Sequence, residues 1–166
     1  MKKSSIKQLV YALLAAVVAF AVSFWISYKS AENDSADSDL IIVKKQSVLE
    51  IVAQLKSMLP MEFGTGIIWT DVTCENDVVI YDYIYSDLYA SDVDQDTIDW
   101  VIANDKQEII NKQVAVYDSN KDTKDWIDSL IENRYKVQYR YCDCEYEYIY
   151  SFTIYPSDWE DALEWR

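Results

Sequence analysis

Three cysteines are the residues of this sequence best suited to forming a covalent bond. Cys74 ends a β-rich segment, whereas Cys142 and Cys144 flank the turn of a tyrosine-rich segment. In an oxidising compartment such thiols can form a lasting disulfide. We predict that Cys74 is bonded to Cys142 or to Cys144, and the alternative is that all three thiols are unpaired. A metal site at the Cys-x-Cys pair lacks the companion ligands it would need.

Histidine is absent from the whole sequence. Its absence excludes Ser-His-Asp and Cys-His catalysis and removes the commonest zinc ligand. The Gly64-Thr65-Gly66 segment is too short for a phosphate-binding loop. Carboxylates are plentiful, but no pair is singled out for glycosidase-like acid–base chemistry. We therefore predict a non-catalytic protein without a cofactor or a metal.

Two aspartate-rich segments, 92–96 and 118–122, match the first half of a calcium-binding loop. In both, threonine stands at position six where glycine is needed, and position twelve lacks the bidentate glutamate. Both segments precede predicted helices, where acidic side chains cap free amides and complement the helix dipole. We therefore interpret these aspartates as helix caps.

Tyrosines alternate along residues 135–155. Tyrosine often lines the half-buried face of a sheet under a helix, which favours core packing. The alternative is an aromatic interaction surface or ligand-binding wall, for which the candidate residues are Tyr139, Tyr148, Tyr150 and Trp159.

Hydrophobic periodicity predicts an α+β domain in the order helix, hairpin, two helices, hairpin and short helix. A capping box at Ser47 and a proline at residue 60 delimit the first helix. Asn104-Asp105 is a candidate break in the long second helix, and Asp122 a candidate cap of the third. The predicted elements are helices 47–59, 92–117, 122–133 and one from Ser157, with hairpin strands 67–74 and 78–85, then 135–141 and 146–155.

A turn at residues 142–145 predicts the register of the second hairpin, with Tyr139 opposite Tyr148 and Arg140 opposite Glu147. If the two middle helices run out and back, the third strand begins where the second ends. We therefore predict an antiparallel sheet with helices on one face and both hairpin tips at the same end. That arrangement would bring the three cysteines together.

Residues 9–28 form an uncharged stretch of twenty residues. As a helix it spans roughly 30 Å, enough to cross a bilayer. Lysines precede it and acidic residues follow, so the N-terminus should lie in the cytoplasm. We predict a cytoplasmic stub (1–8), a single-pass bacterial inner-membrane anchor (9–28), an acidic tether (29–46) and a periplasmic or extracellular domain (47–166). The alternative is a signal peptide cleaved near Ala19-Phe20-Ala21, which would secrete the same domain.

The exported part is strongly acidic. It contains 29 acidic residues and 12 of the 15 basic residues, a formal charge of −17. Such a field repels nucleic acid and anionic lipid, and attracts basic partners. The alternative is that this charge only keeps the domain soluble and has no specific partner.

Several short motifs accompany these elements: Leu59-Pro60 at a helix end, Tyr81-Asp82-Tyr83 in a hairpin, and Ser157-Asp158 after the tyrosine-rich strands. In these motifs the chain resembles a family of small, uncharacterised exported or membrane-anchored bacterial proteins whose pattern ends in Ser-Asp-Cys. The resemblance implies bacterial export and a similar fold. Trp159 stands where that family has cysteine, so a disulfide at that position cannot form here.

The sequence thus predicts a membrane-anchored, extracytoplasmic protein-interaction domain. A narrower hypothesis is an immunity or inhibitor protein that neutralises a basic toxin or envelope enzyme. A different class is a small-ligand-binding domain that uses the tyrosine-rich sheet face.

Overall fold

The computed structural model describes residues 48–63 and 66–165. The predicted anchor, the tether and the Ser47 cap lie outside the described residues. None of the helices in the described part of the chain is both long and apolar enough to span a bilayer. The elements in chain order are α1 (Val48–Ser57), β1 (Met61–Phe63), β2 (Ile67–Glu75), β3 (Val78–Tyr85), a 3₁₀ turn (Ala90–Asp92), α2 (Gln95–Val116), α3 (Lys121–Glu132), β4 (Lys136–Cys142), β5 (Tyr148–Ile154) and α4 (Pro156–Glu164).

The α+β class is confirmed, but the sheet is mixed rather than antiparallel. Its five strands lie in sequential order, and β3 pairs with β4 in parallel. The prediction failed because α2 has 22 residues and α3 only 12, about 33 Å against 18 Å. Helices so unequal do not return the chain to its starting point, and together they form the crossover that a parallel pair requires. The two hairpin tips therefore lie at opposite ends of the sheet.

The first hairpin is confirmed, and its turn is made by Asn76 and Asp77. Both residues have positive φ, 49° and 61°. Asparagine and aspartate tolerate this conformation better than most residues, and it suits a two-residue hairpin turn. The short strand β1, which the sequence analysis missed, adds to the outer edge of β2 with Glu62 opposite Ile68.

The second hairpin is formed, but its predicted register is wrong. Tyr139 lies opposite Phe152 instead of Tyr148, and Arg140 lies opposite Ser151 instead of Glu147. Each partner is thus four residues further along the chain. Because side chains alternate with a period of two, an even displacement leaves every β4 residue on its predicted face.

Asp143 accounts for this displacement. Its carboxylate accepts hydrogen bonds from the backbone amides of Ala90, Glu145 and Glu147, at 2.9, 2.8 and 2.8 Å. These bonds, of which the Ala90 bond is the largest cause, hold the pKa of Asp143 below its usual value. Residues 143–147 are thereby folded into the loop, and pairing begins only at Tyr148.

The helices differ from expectation mainly at their starts. Helix α2 runs unbroken through Asn104-Asp105. The amide of Thr123 donates to the side chain of Asn120 at 3.0 Å, so Asn120 caps α3 and Asp122 lies in its first turn. Helix α4 begins at Pro156, and Asp158 accepts from the amide of Tyr155 at 2.7 Å.

The core lies between one face of the sheet and the helices. Helix α1 packs on β2, α2 packs on β5, and α4 contacts both α2 and α3. Trp159 of α4 is completely buried, and its indole Nε1 donates to Oε1 of Gln113 at 2.8 Å. This side chain therefore fixes α4 against α2.

Replacing Trp159 with alanine should destabilise the fold by about 3–5 kcal/mol, because it removes a fully buried aromatic side chain and leaves a cavity. Urea denaturation of the detergent-solubilised full chain, followed by circular dichroism, measures the loss. The matched control is Trp165→Ala, since Trp165 is 89% exposed and its removal should change stability by only about 0.5 kcal/mol. Equal effects of the two substitutions would contradict the packing described above.

Candidate interaction groove

The four aromatic residues proposed as an interaction surface do not share one. Tyr139, Tyr150 and Trp159 are buried, whereas Tyr148 is 60% exposed. The three buried residues belong to the core between sheet and helices, as the core-packing interpretation expects. Tyr148 lies on the sheet's other face, where its hydroxyl lies 3.2 Å from that of Ser151.

The buried aromatic rings form a continuous stack across β2 to β5. Ring centroids are 5.3 Å apart between Tyr81 and Tyr139, and 4.6 Å apart between Tyr141 and Tyr150. Burial raises the pKa of the Tyr139 and Tyr150 hydroxyls well above the usual value. Because the rings contact one another, their faces are not available to a stacking ligand.

Asp105 is a buried carboxylic acid near the hydroxyl of Tyr150. It lies within α2 and is only 2% exposed, and neither carboxylate oxygen has a hydrogen-bond partner in the described part of the chain. Burial raises the pKa of Asp105 to about 8, and the charge of Glu108 acts in the same direction. The nearby Tyr150 hydroxyl, which is not in hydrogen-bonding geometry, opposes the rise. Asp105 is therefore mostly protonated at neutral pH.

Asp105 should make the stability of the fold decrease with rising pH. Between the unfolded pKa near 3.8 and the folded pKa near 8, the folded state holds a proton that the unfolded state has lost. Asp105→Asn removes this dependence. The free energy of unfolding of the variant, relative to that of wild type, should therefore increase by on the order of 4 kcal/mol from pH 5 to pH 9. Urea denaturation at both pH values tests this. Asp99→Asn, at an exposed position of the same helix, should show no such gain.

The cysteines are free thiols in the structure. Cys74 lies opposite Val79 near the start of β3, whereas Cys142 lies opposite Ile84 near its end. Five residues of strand separate these positions, roughly 17 Å, and a disulfide needs Cα atoms less than about 7 Å apart. No disulfide therefore joins Cys74 to Cys142 or Cys144 in the structure, because the parallel pairing of β3 and β4 keeps these residues apart. Burial raises the pKa of both Cys74 and Cys142, which makes their thiols less reactive.

Cys74 should be recovered as a free thiol from the full chain. Alkylation under denaturing conditions without reductant, followed by peptide mapping, should show complete modification of the peptide that contains Cys74. A peptide pair linked through Cys74 would contradict the parallel arrangement of β3 and β4.

In the two calcium-like segments, Asp94 and Asn120 cap helices, and Asp96 and Asp122 lie in the first turns of α2 and α3. Asp94 accepts from the amide of Thr97 at 2.8 Å at the start of α2, and Asn120 caps α3 as described. Within residues 48–63 and 66–165, no three His, Cys, Asp or Glu side chains are grouped in a way that could hold a metal ion.

An open groove of about 690 Å³ lies on the helix layer between α2 and α4. The α2 wall presents side chains at helical spacing, among them Gln107, Asn111 and Ala115. The half-buried Val114 of α2 and Ala162 of α4 provide the accessible apolar part of the groove, and the buried Ile110 borders it. Trp165 lines it from the end of α4 with most of its indole in solvent.

The charge of the groove is predominantly negative. Its lining contains Asp118, Asp158 and Asp161 but one basic residue, Lys106. The Lys106 ammonium lies 2.7 Å from the Asp158 carboxylate, and this pair joins the two helices. The groove thus combines an apolar base with acidic margins.

The groove was not predicted from the sequence. Val101, Ile109 and Ile110 are all buried in the core, and Ile110 and the half-buried Val114 also border the groove. Ile110 and Val114, four residues apart, can be seen in the sequence. The α4 residues that face them are brought there by tertiary packing, which the sequence does not show.

No protein-family model matches the chain, and no curated protein matches it. Among solved structures, the chain is similar to a pilotin of the Vibrio vulnificus type 2 secretion system, with 14% identity, a TM-score of 0.42, and coverage of 67% of this chain and 86% of that one. It is also similar to a Pseudomonas aeruginosa protein described as secreted, with 10% identity, a TM-score of 0.48, and coverage of 66% and 86%. Both similarities are too low to establish a shared fold or function.

Proposed function

We propose that this chain is a membrane-anchored, extracytoplasmic and non-catalytic domain that binds a protein partner through the groove between α2 and α4. The observation that carries the proposal is the groove itself, with Val114 and Ala162 as its accessible apolar lining and an exposed indole at Trp165. Large exposed apolar side chains beside a concave surface are typical of interaction sites.

The chemistry of the described residues supports binding rather than catalysis. The chain contains no histidine, and Asp94 caps a helix, Asp143 holds a loop and Asp158 pairs with lysine. Asp105, whose pKa is strongly perturbed, is enclosed in the core and reaches no open surface. A catalytic acid would have to contact substrate, so its burial argues against that role.

The apolar segment 9–28 supports the location. As a retained anchor it would hold the domain at the outer side of the bacterial cytoplasmic membrane, and as a cleaved signal it would release the domain. In both cases the acidic domain would meet its partner outside the cytoplasm. An inhibitor of a basic toxin or envelope enzyme is one specific form of this function.

Site-specific photo-crosslinking in cells tests the role of the groove. A photoreactive residue at Ala115, which lines the groove, should give a protein adduct of defined mass in the full-length chain. Ala103 is the matched control, because it is an exposed alanine of the same helix outside the groove. No adduct at Ala115, or the same adduct at both positions, would show that the groove is not the binding surface.

A further inference from the structure

We infer that the occupant of the groove is a basic amphipathic helix of the partner protein. The inference deepens the proposed function and rests on it. It follows from the dimensions of the groove, the nature of its walls and its charge.

The groove has the length of a short helix. It extends from Lys106 of α2 to Asp118, two residues beyond the end of that helix, a span of twelve residue steps or about 18 Å. A partner helix of about 12 residues has the same length, and its side chains would pack between the ridges of the two walls. Both walls are helices, so the groove presents no free strand edge to an extended peptide. An extended segment would leave its backbone groups unpaired over the apolar base, whereas a helix satisfies them internally.

Trp165 provides the apolar anchor for such a helix. Its indole is 89% exposed in the free chain, and it borders the same groove as Val114 and Ala162. Covering a tryptophan from solvent is a common source of binding energy at interfaces. Leucine-like side chains at helical spacing on the partner would lie against this surface.

The charge of the groove specifies a basic partner. The groove is lined by three aspartates and one lysine, and that lysine, Lys106, is paired with Asp158, so the formal charge of the lining is negative. A second copy of this chain is disfavoured, because two exported domains of formal charge −17 repel each other. Lysine or arginine side chains on the flanks of a docked helix would complement the rim.

A designed peptide of about 12 residues tests the inference directly. It carries leucines on one helical face and lysines on the flanks, and its binding to the full chain in uncharged lipid nanodiscs is measured by fluorescence anisotropy, with empty discs as blank. Two matched peptides accompany it: one with the same composition but a scrambled order, and one with glutamate in place of lysine. The amphipathic lysine peptide alone should bind, and added salt should weaken it.

Three variants locate the binding site. Trp165→Ala should weaken binding about tenfold, as loss of an interface anchor does. Asp161→Lys should also weaken it about tenfold, whereas Glu160→Lys, which changes net charge equally outside the groove, should weaken it about twofold. Equal effects of the two charge reversals, or equal binding of the scrambled peptide, would overturn the inference.

Competition separates this inference from the proposed function. The lysine peptide should abolish the adduct formed from Ala115. If the adduct forms but the lysine peptide neither binds nor competes, the groove binds a partner of different chemistry and the inference alone is wrong. If no adduct forms, the proposed function falls as well.

Discussion

The burial of one aromatic face of the sheet is the constraint on which the other features of the molecule depend. Rings from four strands contact one another across the sheet, and this surface is covered by the helices that connect and follow the strands. Apolar area removed from water supplies most of the free energy that favours folding. Trp159 extends this packing to α4 and so places that helix beside α2. The groove exists because the core brings these two helices together.

Much of the fold follows from local patterns in the sequence. Periodicity located the four helices, and alternation located the two hairpins, because both depend on neighbours within a few residues. The face that β4 presents to the core was also correct, since alternation determines it directly, whereas the register shift beside Tyr141 puts Tyr148 of β5 on the opposite face from the one predicted. The tyrosine-rich hairpin is thus recognisable before any tertiary contact is known.

The features that were not predicted depend on contacts between distant parts of the chain. The pairing register of β4 and β5 is determined by Asp143, whose carboxylate binds the amide of Ala90, 53 residues away. The parallel pairing of β3 with β4 depends on how the two helices between them pack, although their unequal lengths were already indicated by the sequence. The groove requires α4 to lie beside α2, which no local pattern specifies. Long-range geometry of this kind cannot be read from residue spacing.

The parallel junction between β3 and β4 also has a consequence for how the domain assembles. Strands β1 to β3 and strands β4 to β5 are each joined by short connections, whereas the Arg140–Asp82 ion pair across the junction links residues 58 apart. Closing so long a loop is entropically costly before its contacts can form. The two antiparallel halves are therefore expected to form early, with their union across the junction as the late step. The helices that join these halves are α2 and α3. The groove on α2 is therefore completed only when the whole sheet has formed.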